Sequence, residues 1–92
     1  MKVFARLKVI SVEESQWKKI QNKQVPKSKV ICSEGDSYLV LTVWGEEKIH
    51  RCREFEYSGT EMECIISITG KELQHDDGSS YYANNINIIH IL

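Results

Sequence analysis

Tyr38-Leu39-Val40-Leu41-Thr42-Val43-Trp44-Gly45-Glu46-Glu47-Lys48-Ile49-His50-Arg51-Cys52-Arg53-Glu54-Phe55-Glu56-Tyr57 changes its period at Gly45. Up to Trp44 the residues are β-branched, aromatic and apolar, the composition of a strand. Leu39, Leu41 and Val43 share one face; Tyr38, Val40, Thr42 and Trp44 share the other. Beyond Gly45, the residues Ile49, Cys52 and Phe55 or Glu56 recur with charges between them. That spacing predicts a short amphipathic helix over Glu46–Tyr57. Glu46 and Glu47 would sit at its N-terminus, where a negative charge complements the helix dipole.

Strands are predicted on both sides of this junction. In Lys2–Ile10 the odd positions Val3, Ala5, Leu7 and Val9 are apolar and the even ones read Lys2, Phe4, Arg6, Lys8, a half-buried strand that extends toward Val12. Glu13–Lys29 is polar, contains the only proline, Pro26, and reads as a long connection with a helical turn around Gln16–Gln21. Lys29–Ser33 reads as a short strand, followed by turn residues at Glu34–Ser37. After Ser58-Gly59 breaks the helix, Met62, Cys64, Ile66 and Ile68 alternate along a strand that Gly70 stops. Gln74–Ser80 is a hairpin turn, and Tyr81–Leu92 is a closing strand whose phase shifts near Asn84-Asn85, the expected place of a bulge.

The order is strand, long loop, strand, strand, short helix, strand, hairpin, strand. It predicts a mainly β chain folded as one domain over residues 1–92: a five-stranded OB-fold barrel with a short helix between strands three and four. Five evenly spaced strands also suit an SH3-like barrel; the helix position favours the OB-fold.

Composition removes several classes. The chain is 41% apolar and 27% charged, ordinary for a soluble globular domain. The longest uncharged apolar run, Ser37–Gly45, falls far short of the ~20 residues of a membrane span. No apolar segment follows the basic N-terminus, so no signal peptide is expected. Cys32, Cys52 and Cys64 are an odd set without paired spacing, which points to a reducing, cytoplasmic setting rather than a disulfide framework. His50, Cys52, Cys64 and His75 form no metal-ligand spacing, so neither a metal nor a cofactor is expected. No phosphate loop, nucleophile elbow or paired acid marks an enzyme.

Charge is polarised along the chain. Met1–Lys29 holds eight Lys/Arg and two acids, a net of +6; Val30–Leu92 holds four and eleven, a net of −7. Such polarity can draw a polyanion to one pole or merely solvate a face.

Four segments carry a resemblance. Ala5-Arg6-Leu7, Leu41-Thr42-Val43-Trp44-Gly45-Glu46-Glu47, the run Gly59–Lys71 and Tyr82-Ala83-Asn84-Asn85-Ile86-Asn87-Ile88-Ile89 resemble the first, third, fourth and last strands of the bacterial and phage single-stranded DNA-binding proteins and their primosomal relatives. The resemblance implies an OB-fold and binding of single-stranded DNA. Asp76 and Asp77 stand where the family's loop between its last two strands is often basic, and the resemblance does not imply the tail-dependent recruitment expected of the family's larger members.

Residue chemistry points the same way independently. Sequence-independent binding of single strands needs cations along a groove and aromatic faces for the bases. Lys2, Phe4, Arg6 and Lys8 form a cationic row with one aromatic on the first strand. Trp17, Lys18, Lys19, Lys23, Lys27 and Lys29 lie in or beside the long connection, and Tyr38 and Trp44 share a face of the next strand. Other roles compete: Trp17 can cap the barrel bottom, Trp44 can lie in the core or an interface, and Phe4 can pack under a loop or a partner subunit. Tyr81 and Tyr82 point to opposite faces, so at most one meets a ligand. A single short site implies a homodimer or higher oligomer, joined at strand edges or the Phe4 face. RNA meets the same chemistry as DNA, because stacking and phosphate contacts do not report the 2′-hydroxyl. The alternative is an OB-fold module that docks a protein and no nucleic acid, consistent with a net charge of −1.

Overall fold

Alternation along Lys2–Val12 becomes pairing on both sides of one strand. The computed structural model describes residues 1–92 and contains β1 (Lys2–Val12), β2 (Gln16–Ile20), β3 (Lys23–Glu34), β4 (Ser37–Trp44), α1 (Glu46–Ser58), β5 (Glu61–Gln74) and β6 (Ser80–Ile91). β1 pairs antiparallel with β5 from Lys2 to Lys8 and with β3 from Lys8 to Val12. The change of partner coincides with a bulge, since Val9 faces Cys32 and Ser11 faces Ile31, leaving Ile10 unmatched. A bulge of this kind sharpens the local twist. The sheet order is β1-β5-β6-β4-β3-β2, and the β1–β3 pairing closes the first five members into a ring. Its thinnest seam is β4–β6, which is parallel and joined only at Thr42–Asn87 and Val43–Ile88.

This mainly β arrangement agrees with the expected strand order and helix position. It differs in number, with six strands instead of five. The extra strand lies in the segment read as a long connection: Gln16–Ile20 is β2, not a helical turn, and β3 begins at Lys23 rather than Lys29. Gln21 and Asn22, at φ 48° and 66°, make the two-residue turn between β2 and β3. Positive φ at both central residues matches the twist of the flanking strands. Pro26 lies within β3 and does not interrupt it. Its carbonyl accepts from Gly45 N–H at 2.9 Å, on the β4 side. In a strand the N and O of one residue point the same way, so the missing N–H also points there, beyond the end of β4, and the β2 ladder loses no donor.

The inner face of the ring is the core. Leu7, Val30, Cys32, Leu41, Val43, Met62 and Cys64 are fully buried, and α1 closes one end with Ile49 and Cys52. Alternation groups Val3 with this face, yet it is exposed although it stands opposite the buried Ile66. β5 continues through Gly70 to Gln74 instead of stopping there. Its pairing with β6 stays regular at Asn84 and Asn85; the bulge falls at Ile89, between the Ile66–Ile88 and Ile65–His90 pairs. Lys48 Nζ reaches the Ile89 carbonyl at 3.4 Å, and Arg51 donates to the carbonyls of Ile91 and Leu92 at 2.8 and 3.0 Å. The helix is thereby tied to the end of β6.

Two hairpins project from the ring, β2–β3 and the outer half of β5–β6. They raise the radius of gyration to 14.5 Å, against about 12 Å for a compact chain of this length.

Candidate nucleic-acid interface

Register assigns each candidate side chain to a face. Cross-strand partners in an antiparallel sheet share a face, so the pairs of β3 with β4 line up in rows on the outer surface. Lys27 is opposite Trp44, Lys29 opposite Thr42, Ile31 opposite Val40, and Ser33 opposite Tyr38. The rows extend sideways: Gln16 adjoins Lys27, Asn87 adjoins Thr42, and Lys8 adjoins Ser33. Trp44 and Tyr38 therefore mark the two ends of a platform about 20 Å long, at ~3.3 Å per residue. Tyr38 is 71% exposed and Val40 58%; Trp44 is half-buried.

The β2–β3 hairpin continues this platform beyond Trp44. Lys18 pairs with Val25 and Ile20 with Lys23, so Lys18 and Lys23 lie on the face that carries Lys27. Trp17 and Lys19 lie on the reverse face, opposite Pro26 and Gln24. Trp17 is 54% exposed and stands against the buried Pro26. The lysines expected as one cluster are thus divided by strand alternation into an outer group and Lys19 alone.

The cations of β1 are divided again. Lys2, Phe4, Arg6 and Lys8 do share an outer face, but they face β5 for most of their length: Lys2 opposite Ser67, Phe4 opposite Ile65, Arg6 opposite Glu63 and Lys8 opposite Glu61. Arg6 Nη2 lies 3.1 Å from Glu63 Oε1. Acidic partners thus offset much of the positive charge of this row, and only Lys8 adjoins the platform.

Lys18, Lys23, Lys27 and Lys29 take part neither in the Arg6–Glu63 ion pair nor in the contact of His50 with Glu54. Beside Lys27 and Lys29 a polar cleft of about 200 Å³ is lined also by Glu13, Glu14, Gln16, Ser28 and Thr42. Its two acids temper the field at that edge. Lys27 Nζ stands 5.4 Å from the centroid of the Trp44 ring. A larger hollow of about 640 Å³ runs along α1, past His50, Arg53 and Tyr57, and holds none of the candidate residues.

Gly45 orients the Trp44 end. Its φ of 97° and ψ of 141° lie in a region essentially closed to residues with a Cβ. The chain turns there from β4 into α1, while Trp44 stays on the outer face. At the other end, Ile31 and Val40 make an apolar floor beside Tyr38. Their outward positions follow from alternation, but neither residue type signals a ligand surface by itself.

The β5–β6 arm carries a second aromatic group. His75 and Tyr81 stack with centroids 4.4 Å apart, and Tyr82 lies on the opposite face of the arm, as alternation requires. Asp77 accepts from Ser79 Oγ and N–H at 2.6 and 2.9 Å, which holds its carboxyl below the usual range and fixes the loop.

The three thiols are buried in the core, away from this surface. Desolvation pushes Cys32 up to about 12, and Cys52 and Cys64 to about 11.

No protein-family model matches the chain, and no curated protein matches it. Among solved structures, the chain is similar to the mitochondrial single-stranded DNA-binding protein Rim1 of S. cerevisiae, with a TM-score of 0.63 and 17% sequence identity. The match covers 100% of this chain and 92% of that one. The ring of strands with its single helix is therefore the fold of that protein, consistent with an OB-fold.

Proposed function

We propose that this protein is a non-enzymatic binder of single-stranded DNA that engages the outer face of β3 and β4 without sequence preference. The observation that carries the reading is the cross-strand register, which sets Lys27 and Lys29 on one face with Tyr38 and Trp44. Lys18 and Lys23 extend that face along the hairpin. The fold shared with a single-stranded DNA-binding protein supports the same ligand. Bases stack on the rings while the lysines neutralise phosphates; four such contacts give a log–log salt slope of roughly −3.

Titration with a thymidine oligomer at two salt concentrations, followed by tryptophan emission, tests the reading. Binding that weakens steeply with salt supports it; absence of binding at low salt overturns it. A uridine oligomer in parallel shows whether ribose is tolerated.

The reading extends to self-association through the outer face of β1 and β5. Phe4, 52% exposed and opposite Ile65, is its apolar centre, and the Arg6–Glu63 pair makes its surroundings nearly neutral. Light scattering on Phe4→Glu tests this: a fall in mass supports it, and a monomeric parent protein overturns it.

A further inference from the structure

Trp44 does not present a bare ring. Lys27, directly across from it, holds its ammonium 5.4 Å from the ring centroid, within cation–π range. Both residues are half-buried. Lys29, two residues along the same strand face, is opposite Thr42 instead and has no ring beneath it. An ammonium and a nucleobase compete for the same π-surface, and one side chain cannot cover the ring while a base is stacked there.

We propose that Lys27 is a built-in competitor for the Trp44 ring, covering it in the free protein and moving to a phosphate when a base stacks. The inference rests on the single-strand reading above and specifies how its Trp44 subsite is regulated. Lys27 then does two opposing things. It contributes one phosphate contact, which salt screens, and it imposes a displacement cost, which salt affects less because both partners of the ring contact are half-buried. Lys29 contributes only the first. The two lysines are alike in charge and strand, and they differ in what lies opposite.

The test uses Trp17→Phe as background, leaving Trp44 as the sole indole, and compares Lys27→Gln with Lys29→Gln. A thymidine oligomer is titrated against each across a salt series. Both variants should lose about 0.7 from the log–log slope, the share of one phosphate contact on a single strand. Lys29→Gln should bind more weakly than its parent at every salt. Lys27→Gln should be weaker at low salt but tighter at high salt, by about two- to fivefold, the lower end of the cation–π range. Its plot should therefore cross that of the parent. Without ligand, Lys27→Gln should shift Trp44 emission and Lys29→Gln should leave it unchanged. Parallel behaviour of the two variants, or ligand-free emission indifferent to Lys27→Gln, overturns the inference while the DNA reading stands. An oligomer that binds no protein of the series, parent included, overturns both.

Discussion

Arg6 and Glu63 stand directly opposite each other on β1 and β5, with Nη2 and Oε1 3.1 Å apart. Both side chains are about half exposed, so the pair contributes at most ~1 kcal/mol to stability. Its larger effect is on the field: it removes from the ligand balance a cation that would otherwise count as part of a basic row. Arg6→Gln should change affinity for a thymidine oligomer by less than about twofold and leave the salt slope intact, whereas Lys29→Gln should lower the slope by ~0.7. Titration across a salt series checks the contrast, and equal losses would show that the β1 row is part of the track.

Aromatic truncation should separate by face. Tyr38→Ala and Trp44→Ala are each expected to weaken binding by ~1–3 kcal/mol, the range for a stacked base. Trp17→Ala, on the reverse of the hairpin, should cost far less binding. Fluorescence anisotropy of a labelled oligomer measures all three, and a dominant Trp17 effect would place the ligand on the other face.

Adjacent lysines offer the sharpest comparison. Lys18 and Lys19 differ by one position and point to opposite sides of the β2–β3 hairpin. Charge reversal at Lys18 should weaken binding severalfold more than charge reversal at Lys19. Long-range attraction alone would make them equal.

The thiols set an alkaline limit. Their native pKa values lie at about 11 to 12, above the 9.0 of a free thiol, so the folded state holds protons that the unfolded state releases. That stabilisation is whole below pH 9 and is lost as pH rises toward 11. Chemical denaturation between pH 8 and about 10.5 should show falling stability, and native protein should resist iodoacetamide until it unfolds.

Gly45→Ala should destabilise the fold by about 1–3 kcal/mol, because a Cβ is strained at its backbone angles although nothing crowds the space around it. Urea unfolding measures the loss. An unchanged midpoint would mean that the β4–α1 junction relaxes freely.

Most of the ring was legible because its strands have one wet and one dry face. Leu41 and Val43 against Tyr38 and Val40, or Met62 and Cys64 against Glu61 and Glu63, state their direction in sequence. β2 does not. Gln16-Trp17-Lys18-Lys19-Ile20 is exposed on both faces, so no alternation marks it, and its Gln21-Asn22 turn lacks the glycine that usually supplies positive φ. Pro26 read as a breaker because its donor-free nitrogen could not be aimed without knowing where β4 ends. Gly70 read as a stop for a similar reason: the arm beyond it buries little, leaving its continuation to hydrogen bonding. For the site, composition identified the rings and lysines, but register decided which of them meet. The acids opposite β1 lie more than fifty residues away in sequence, and nothing local announces them.

The exchange of partners at Ile10 governs the order in which the chain can assemble. β1 is synthesised before every strand it joins. Its later half can dock once Val30–Ser33 exists, but Lys2–Leu7 must wait for Met62–Ser67, several seconds at ~5–20 residues per second. During that delay an unpaired, aromatic-bearing edge is open to other nascent chains. Lys2, Arg6 and Lys8 put positive charge along that edge, and like charges on an open strand disfavour its pairing with a second copy.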